Sequence, residues 1–245
     1  METKGNYRRT QDKGIEKIIS SQAKRIDGGR MTELLLLSMI LNHPEFESSK
    51  QIPVRIDSAI TGRVCMTSYL HGLYVIKQIM GESCKKYLEI GTLFGGSIAM
   101  LMQSEYDTDF VGIDLFNYYG DEIDPNTGIE VSKKTTGMNI YKHNIHDHDY
   151  YLVEGNSRDS LIVGRIKALL PNVDLLFIDG DHSKKGVIAD FNNYSPLISK
   201  GGVIVFDNYG DPNWKGVKKA VDKLDLSTWH KVGQYGYSYI IQRVL

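Results

Sequence analysis

The stretch FIDGDHSKKG, residues 177–186, passes directly from an apolar run into two carboxylates, two glycines and a histidine. Desolvating a carboxylate without a partner costs several kcal/mol. Asp179, Asp181 and His182 at the end of a buried strand therefore ask for a cation, a proton-transfer task, or both. A second apolar run, GVIVF at 202–206, is followed at once by Asp207 and Asn208. If the two runs are neighbouring strands, their ends lie roughly 5 Å apart, and Asp179, Asp207 and Asn208 can share one ion. Three oxygen donors without a cysteine suit a hard cation, Mg²⁺ ahead of other divalent ions.

A second group of residues suits a nucleoside. LEIGTLFGGS at 88–97 reads as strand, glycine turn and helix start, and Asp114 ends the next apolar run 23 residues after Gly91. An acid at the tip of the second strand is placed to accept hydrogen bonds from ribose hydroxyls. The dinucleotide fingerprint G-x-G-x-x-G is not met, because Leu93 stands where its second glycine belongs, and no phosphate-binding G-x-x-x-x-G-K-S/T loop is present. An adenosine cofactor without a pyrophosphate fits better than NAD. The turn EGNS at 154–157 follows a third run; its Asn156 and Ser157 can border a base or cap a helix, and the two roles are compatible.

These residues need a scaffold. Five short runs, at 86–90, 110–114, 150–154, 174–178 and 202–206, alternate with helix-like segments, which predicts a parallel sheet covered on both faces. The tail at 229–244 reads as two strands around GQYG, so the sheet should finish in an antiparallel pair. In such doubly wound α/β folds, ligands bind beyond the carboxyl ends of the strands, where all the residues above fall. Before residue 66 the pattern differs: two helical pieces over 11–42 broken near DGG at 27–29, then a connector bounded by Pro44 and Pro53, with TSYLHGLYVIKQIM at 67–80 as the next helix, closed by Gly81.

YLEIGTLFGGS, VGID, EGNS, LLFIDGDHS and GGVIVFDNY together resemble the successive motifs of class I S-adenosylmethionine-dependent methyltransferases. More narrowly, they resemble the metal-dependent macrocin-type sugar O-methyltransferases and, more distantly, catechol O-methyltransferase. The resemblance covers about residues 66–245. It implies a Rossmann-like seven-stranded sheet with an antiparallel C-terminal hairpin, in a catalytic domain at 61–245; residues 1–60, which carry none of these motifs, read from their own pattern as an N-terminal helical extension. It places Glu89 and Gly91 by the methionine moiety, Asp114 on the ribose, and Asn156 and Ser157 beside the adenine. Thr92, Gly95, Ser97 and Asp179 complete the cofactor set it implies. The family's metal triad occupies the positions of Asp179, Asp207 and Asn208; the Asp-Asn pair matches the catechol enzyme and departs from variants with a second acid.

Methyl transfer to an alcohol explains such a set. An alcohol is a poor nucleophile until its proton leaves; a bound ion lowers its pKa and a nearby base takes the proton. Asp181 or His182 can be that base, Asp181 first because it can point toward the site beside Asp179; His182 can instead contact the cofactor, and Asp181 can otherwise be capping the helix that follows. The expected activity is methyl transfer from S-adenosylmethionine to a hydroxyl of a small acceptor, a sugar or glycosylated metabolite ahead of a catechol. The alternatives are an NAD-dependent epimerase or dehydrogenase, opposed by Leu93 and by the lack of an evident Tyr-x-x-x-Lys pair, and a cofactor-binding module without turnover.

Other features point elsewhere or nowhere. The insertion at 116–137, with Tyr118, Tyr119, Asp121, Asp124 and Asn126, has the length of a functional loop and residues suited to a sugar; Tyr209, Asp211, Asn213 and Trp214 are a further candidate wall. His143, His146 and His148 share neither a helix face nor a strand face and read as a solvated loop. Net charge is −1 from 29 basic and 30 acidic residues, so no global field draws the chain to nucleic acid or an anionic membrane. The first thirty residues, with eight basic and four acidic side chains, are the local exception. Cys65 and Cys84 are expected to be buried, reduced thiols. With no signal-peptide core and no apolar run longer than Leu34–Leu41, a soluble cytoplasmic protein is expected. A second copy of the chain is a candidate partner through the apolar TELLLLSMIL segment.

Overall fold

The computed structural model describes residues 28–65, 67–118 and 120–244. Strands β1 (Lys86–Ile90), β2 (Asp109–Asp114), β5 (Tyr150–Glu154), β6 (Val173–Ile178) and β7 (Ile198–Phe206) are mutually parallel where they pair, and β8 (Trp229–Tyr235) and β9 (Ser238–Arg243) add the antiparallel end. The order across this seven-stranded sheet is β5-β2-β1-β6-β7-β9-β8. The chain fills one side through β2 and β5, then returns to the other side of β1 with β6, which makes the gap between β1 and β6 the switch point where such sheets bind ligands. A separate two-stranded hairpin, β3 (Ile123–Asp124) with β4 (Ile129–Glu130), lies in the insertion after β2.

Side-chain alternation divides the core in two. Tyr87, Phe110, Phe177 and Val205 face one side with helices α1 (Gly28–Leu41), α3 (Gln51–Ala59), α4 (His71–Met80) and α5 (Gly96–Leu101). Leu88, Val111, Leu176 and Ile204 face the other with α7 (Ser160–Leu169), α8 (Lys184–Tyr194) and α9 (Lys215–Val221). Both faces being covered, the central strands read as continuous apolar runs rather than as alternating ones. Local chemistry marks the helix ends: Ser132 caps α6 (Lys133–His143), Asp159 caps α7 and Ser183 caps α8 through side-chain oxygens. Gly81 closes α4 at φ 52, a conformation that favours glycine.

The N-terminal half departs from the sequence expectation in detail. The second helical piece is α1, while residues 11–27 lie outside the described residues. In place of a connector between Pro44 and Pro53 the chain forms two short helices, α2 (Phe46–Ser49) and α3. Pro53 is the third residue of α3, in the first turn, where a missing N–H costs nothing. The helix expected from residue 67 begins at His71, after a turn closed by the Gly72 N–H on the Tyr69 carbonyl. Leu36, Ile40, Phe46, Ile52 and Ile56 are buried in the same core as β1 and β7, with α1 packed on β8 and α3 on α5. Among the described residues no helix is long and apolar enough to cross a membrane.

Candidate active site

A cavity of about 700 Å³ opens over the carboxyl ends of the parallel strands. Every strand of the switch contributes to its wall: Gly91 and Thr92 after β1, Asp114 at the end of β2, Asn156 and Ser157 after β5, Asp179 to His182 after β6, and Asn208 after β7.

On the cofactor side the turn after β1 is built around Asp114. Its two carboxylate oxygens accept the Leu93 N–H at 2.8 Å and the Phe116 N–H at 2.6 Å. Leu93 and Phe116 both sit at positive φ, 45° and 51°, so the carboxylate holds two non-glycine residues in a costly conformation. Burial pushes the Asp114 carboxyl up, and the backbone donors of Leu93, Phe116 and Thr92 pull it back. Gly91 is required by contact: at φ 89°, a Cβ there would stand 2.1 Å from the Asp179 carbonyl oxygen. Thr92 is 3% exposed and its Oγ1 has no hydrogen-bond partner.

Glu89 and Gly95 do not reach the cavity wall. Glu89 is fully buried beneath it, where Ser97 Oγ donates to its Oε1 at 2.6 Å and the Tyr87 hydroxyl donates to Oε2. Burial pushes the Glu89 carboxyl up to about 8 against those two donors, with the charges of Asp179 and Asp114 adding to the rise. Burial thus favours the neutral form of Glu89, which supports Ser97, a residue of the wall. Gly95 is the N-cap of α5, at φ 78°. In the turn after β5, the helix cap is Asp159, which accepts the Leu161 N–H; Asn156 instead closes the turn on the Arg158 N–H at 3.0 Å, and Ser157 Oγ donates to Asp190 at 2.6 Å.

The acidic side is arranged differently. Ile178 pairs with Phe206 in the β6–β7 register, so Asp179 and Asp207 leave adjacent strands side by side. Asp207 is 3% exposed; burial and the Asp179 charge push its carboxyl well above the usual carboxylate range. Ser238 Oγ is 3.4 Å from Asp207 Oδ1. Asn208 follows at φ 57°, with its side-chain nitrogen buried and without a partner. Among the described residues no three His, Cys, Asp or Glu side chains are clustered to hold a metal ion; the third candidate donor here is the Asn208 amide. Two apposed carboxylates, one deeply buried, fit a hard divalent ion that would neutralise them, and Asn208 would offer it the amide oxygen.

Asp181 and His182 part company. Asp181 Oδ1 accepts the Ser183 N–H and Oδ2 accepts from Arg158 Nη1, each at 2.9 Å. Burial pushes Asp181 up, but the Ser183 donors and the Arg158 and His182 charges leave it below its ordinary value. His182 Nε2 lies 3.0 Å from Asp179 Oδ1, and its ring packs edge-on against Trp214 at 4.5 Å between centroids.

The insertion roofs the cavity with Tyr118 and Asn126. It is anchored by Asp124, fully buried, which accepts from Arg63 Nε at 2.8 Å. Cys65 is half-buried on the cavity wall rather than in the core, and burial raises its thiol to about 12; Cys84 is buried and free. His148 is buried, not solvated, with Nε2 3.0 Å from the Ser104 carbonyl oxygen, while His146 is exposed. Arg63, Arg158 and Asp190 carried no signal strong enough to be singled out, although Asp190 is an acid on the apolar face of a helix.

Residues 88–209 match a family model described as a methyltransferase domain. A curated relative, an uncharacterized protein of Acanthamoeba polyphaga mimivirus, is 40% identical over 139 residues; the match takes in 56% of this chain and 58% of that protein, little more than half of its length. The apo structure of a TDP-rhamnose 3'-O-methyltransferase of calicheamicin biosynthesis aligns with a TM-score of 0.54 at 19% identity, over 89% of this chain and 96% of its own. An O-methyltransferase from Bacillus cereus in complex with SAH aligns at 0.53 and 19%, over 85% of this chain and 96% of its own. Both likenesses are of fold.

Proposed function

We propose that this chain, whose residues 88–209 match a methyltransferase domain, is a class I S-adenosylmethionine-dependent enzyme that methylates a hydroxyl of a small acceptor, a sugar or glycosylated metabolite, with the help of a divalent ion. The observation that carries this reading is the pair of adjacent strand ends bearing Asp179, Asp207 and Asn208 beside the cofactor cavity. When bound, the cofactor supplies the sulfonium methyl group and leaves as S-adenosylhomocysteine, while the ion acts as a Lewis acid that lowers the acceptor's pKa.

The chain's own residues do the rest. Asp114 binds the ribose hydroxyls with the lone pairs its backbone donors leave. Thr92 and Ser97 meet the methionine end, and Asn156 and Ser157 border the adenine. Asp179, Asp207 and Asn208 hold the ion. His182 accepts the hydroxyl proton in our reading, because both oxygens of Asp181 are already engaged and its basicity is reduced. Tyr118 and Trp214 enclose the acceptor and exclude water. Two free thiols suit a reducing cytoplasmic setting.

Calorimetric titration of S-adenosylhomocysteine with and without Mg²⁺, followed by transfer of labelled methyl to a panel of nucleotide sugars and catechols, tests the reading. Cofactor binding with a separate Mg²⁺ signal that disappears in Asp179→Ala and Asp207→Ala supports it. Transfer at full rate in the presence of chelator would remove the ion from the mechanism.

A further inference from the structure

Asp190 is an acid where α8 has an apolar face. Val187, Phe191 and Tyr194 are buried around it and Asp190 itself is 0% exposed. An apolar residue of similar volume would stabilise the helix packing more than a lone buried carboxyl does. Only one of its oxygens is engaged: Oδ1 accepts the Ser157 hydroxyl at 2.6 Å, while Oδ2 is buried without a partner. Burial raises this carboxyl to about 6, against the pull of Ser157 and Arg158.

The same helix face grips the turn after β5 a second time. The Tyr194 hydroxyl donates to the Ser157 carbonyl at 2.8 Å. Ser157 is thus held at its side chain and at its backbone by residues four apart on α8, and it lies on the cavity wall. Asp190 also reaches beneath the neighbouring turn: its Oδ2 is 3.5 Å from the place a Cβ would occupy on Gly180. The carboxyl therefore underlies both the turn that ends β5 and the one that ends β6.

We propose that Asp190 is a positioning residue for cofactor binding, fixing Ser157 from inside α8 so that the turn after β5 is already in its binding conformation when the adenosine arrives. The proposal rests on the reading of this cavity as the S-adenosylmethionine site. A turn held in advance loses less entropy on binding, so releasing it should weaken affinity without any contact to the ligand being removed at Asp190 itself.

Titration of S-adenosylhomocysteine into the full chain tests this, using Ser157→Ala, Asp190→Ala, the double variant and Asp190→Asn, with the melting temperature of each measured without ligand. About tenfold weaker binding is expected in each Ala variant, with no further loss in the double variant because both changes remove the same bond. Asp190→Asn keeps an oxygen that accepts from Ser157 and should recover most of the loss. A lower melting temperature with unchanged affinity in Asp190→Ala would mark a purely structural residue and overturn the proposal. If Asp190→Ala fails to fold, Ser157→Ala decides, since it leaves α8 intact; unchanged affinity there overturns the proposal equally. Absence of binding by the unsubstituted chain would overturn the cofactor reading, and this proposal with it.

Discussion

Asp114 and Asp207 end β2 and β7, on opposite sides of the switch point, and both are pushed up by burial. Their surroundings differ in charge. Asp114 meets backbone N–H groups at 2.8 and 2.6 Å, whereas Asp207, with the Asn208 N–H, the Tyr69 phenol and the Ser238 hydroxyl at 3.4 Å as donors, stands beside the charge of Asp179. The Asp114 carboxylate is satisfied by the chain itself before any ligand arrives. The half around Asp207 is short of positive charge, and the chain alone does not supply it.

The largest expected effect follows from that shortfall. Asp207→Ala should lower methyl transfer about a thousandfold, the several kcal/mol that a Lewis acid contributes to a developing alkoxide, while affinity for S-adenosylhomocysteine stays within about threefold. Labelled-methyl transfer and calorimetry on the same preparation separate the two. A parallel collapse of cofactor affinity would mean that the halves are not independent.

One substitution made at both positions should give opposite signs. Asp114→Asn replaces an acceptor with an N–H₂ group facing backbone donors and is expected to cost about 2 kcal/mol. Asp207→Asn removes like-charge repulsion and should stabilise the metal-free protein by about 1 kcal/mol. Urea unfolding in the presence of chelator reads both, and two losses of equal size would break the comparison.

This contrast was only partly legible in the sequence. The strand runs were, because buried parallel strands are apolar throughout: the run read at 86–90 is β1 and that at 150–154 is β5, to the residue. The acids at the strand tips were equally plain, since the strand ends carry them in sequence. What surrounds each acid was not. Leu93 at positive φ is held by Asp114, and nothing in a leucine announces a left-handed turn. Asp190 and Arg63 acquire their roles from partners 33 and 61 residues away, distances over which local pattern is silent. The helix at Gln51–Ala59 was missed because a proline such as Pro53 marks the first turn of a helix as readily as a break.

Glu89 lies between the two halves, paired in register with Gly112 on β2 and Phe177 on β6, and it feels the charges of both Asp114 and Asp179. Its carboxyl is raised from 4.5 to about 8, so between those values the folded chain binds more protons than the unfolded one, and stability must fall as pH rises. Relative to Glu89→Gln, the unsubstituted protein should lose roughly 1 kcal/mol per pH unit across this window, measured as the difference in unfolding free energy from pH 5 to 8. Parallel pH profiles would show that Glu89 is ionised throughout, and that its bonds to Ser97 and Tyr87 outweigh burial.

The smallest effect concerns the bridge between the halves. Arg158, after β5, meets Asp181, after β6, at 2.9 Å, with side chains 38% and 41% exposed. A pair so open to water contributes at most about 0.5 kcal/mol, so Arg158→Ala should barely change the melting temperature. Its value lies in chemistry: losing the cation raises the Asp181 carboxyl toward its ordinary value and leaves the His182–Asp179 contact in place. If His182 takes the acceptor's proton, the acid limb of the kcat/KM profile stays where it was. An upward shift of that limb in Arg158→Ala would return the proton to Asp181 and make the bridge, rather than the histidine, the element that tunes the base.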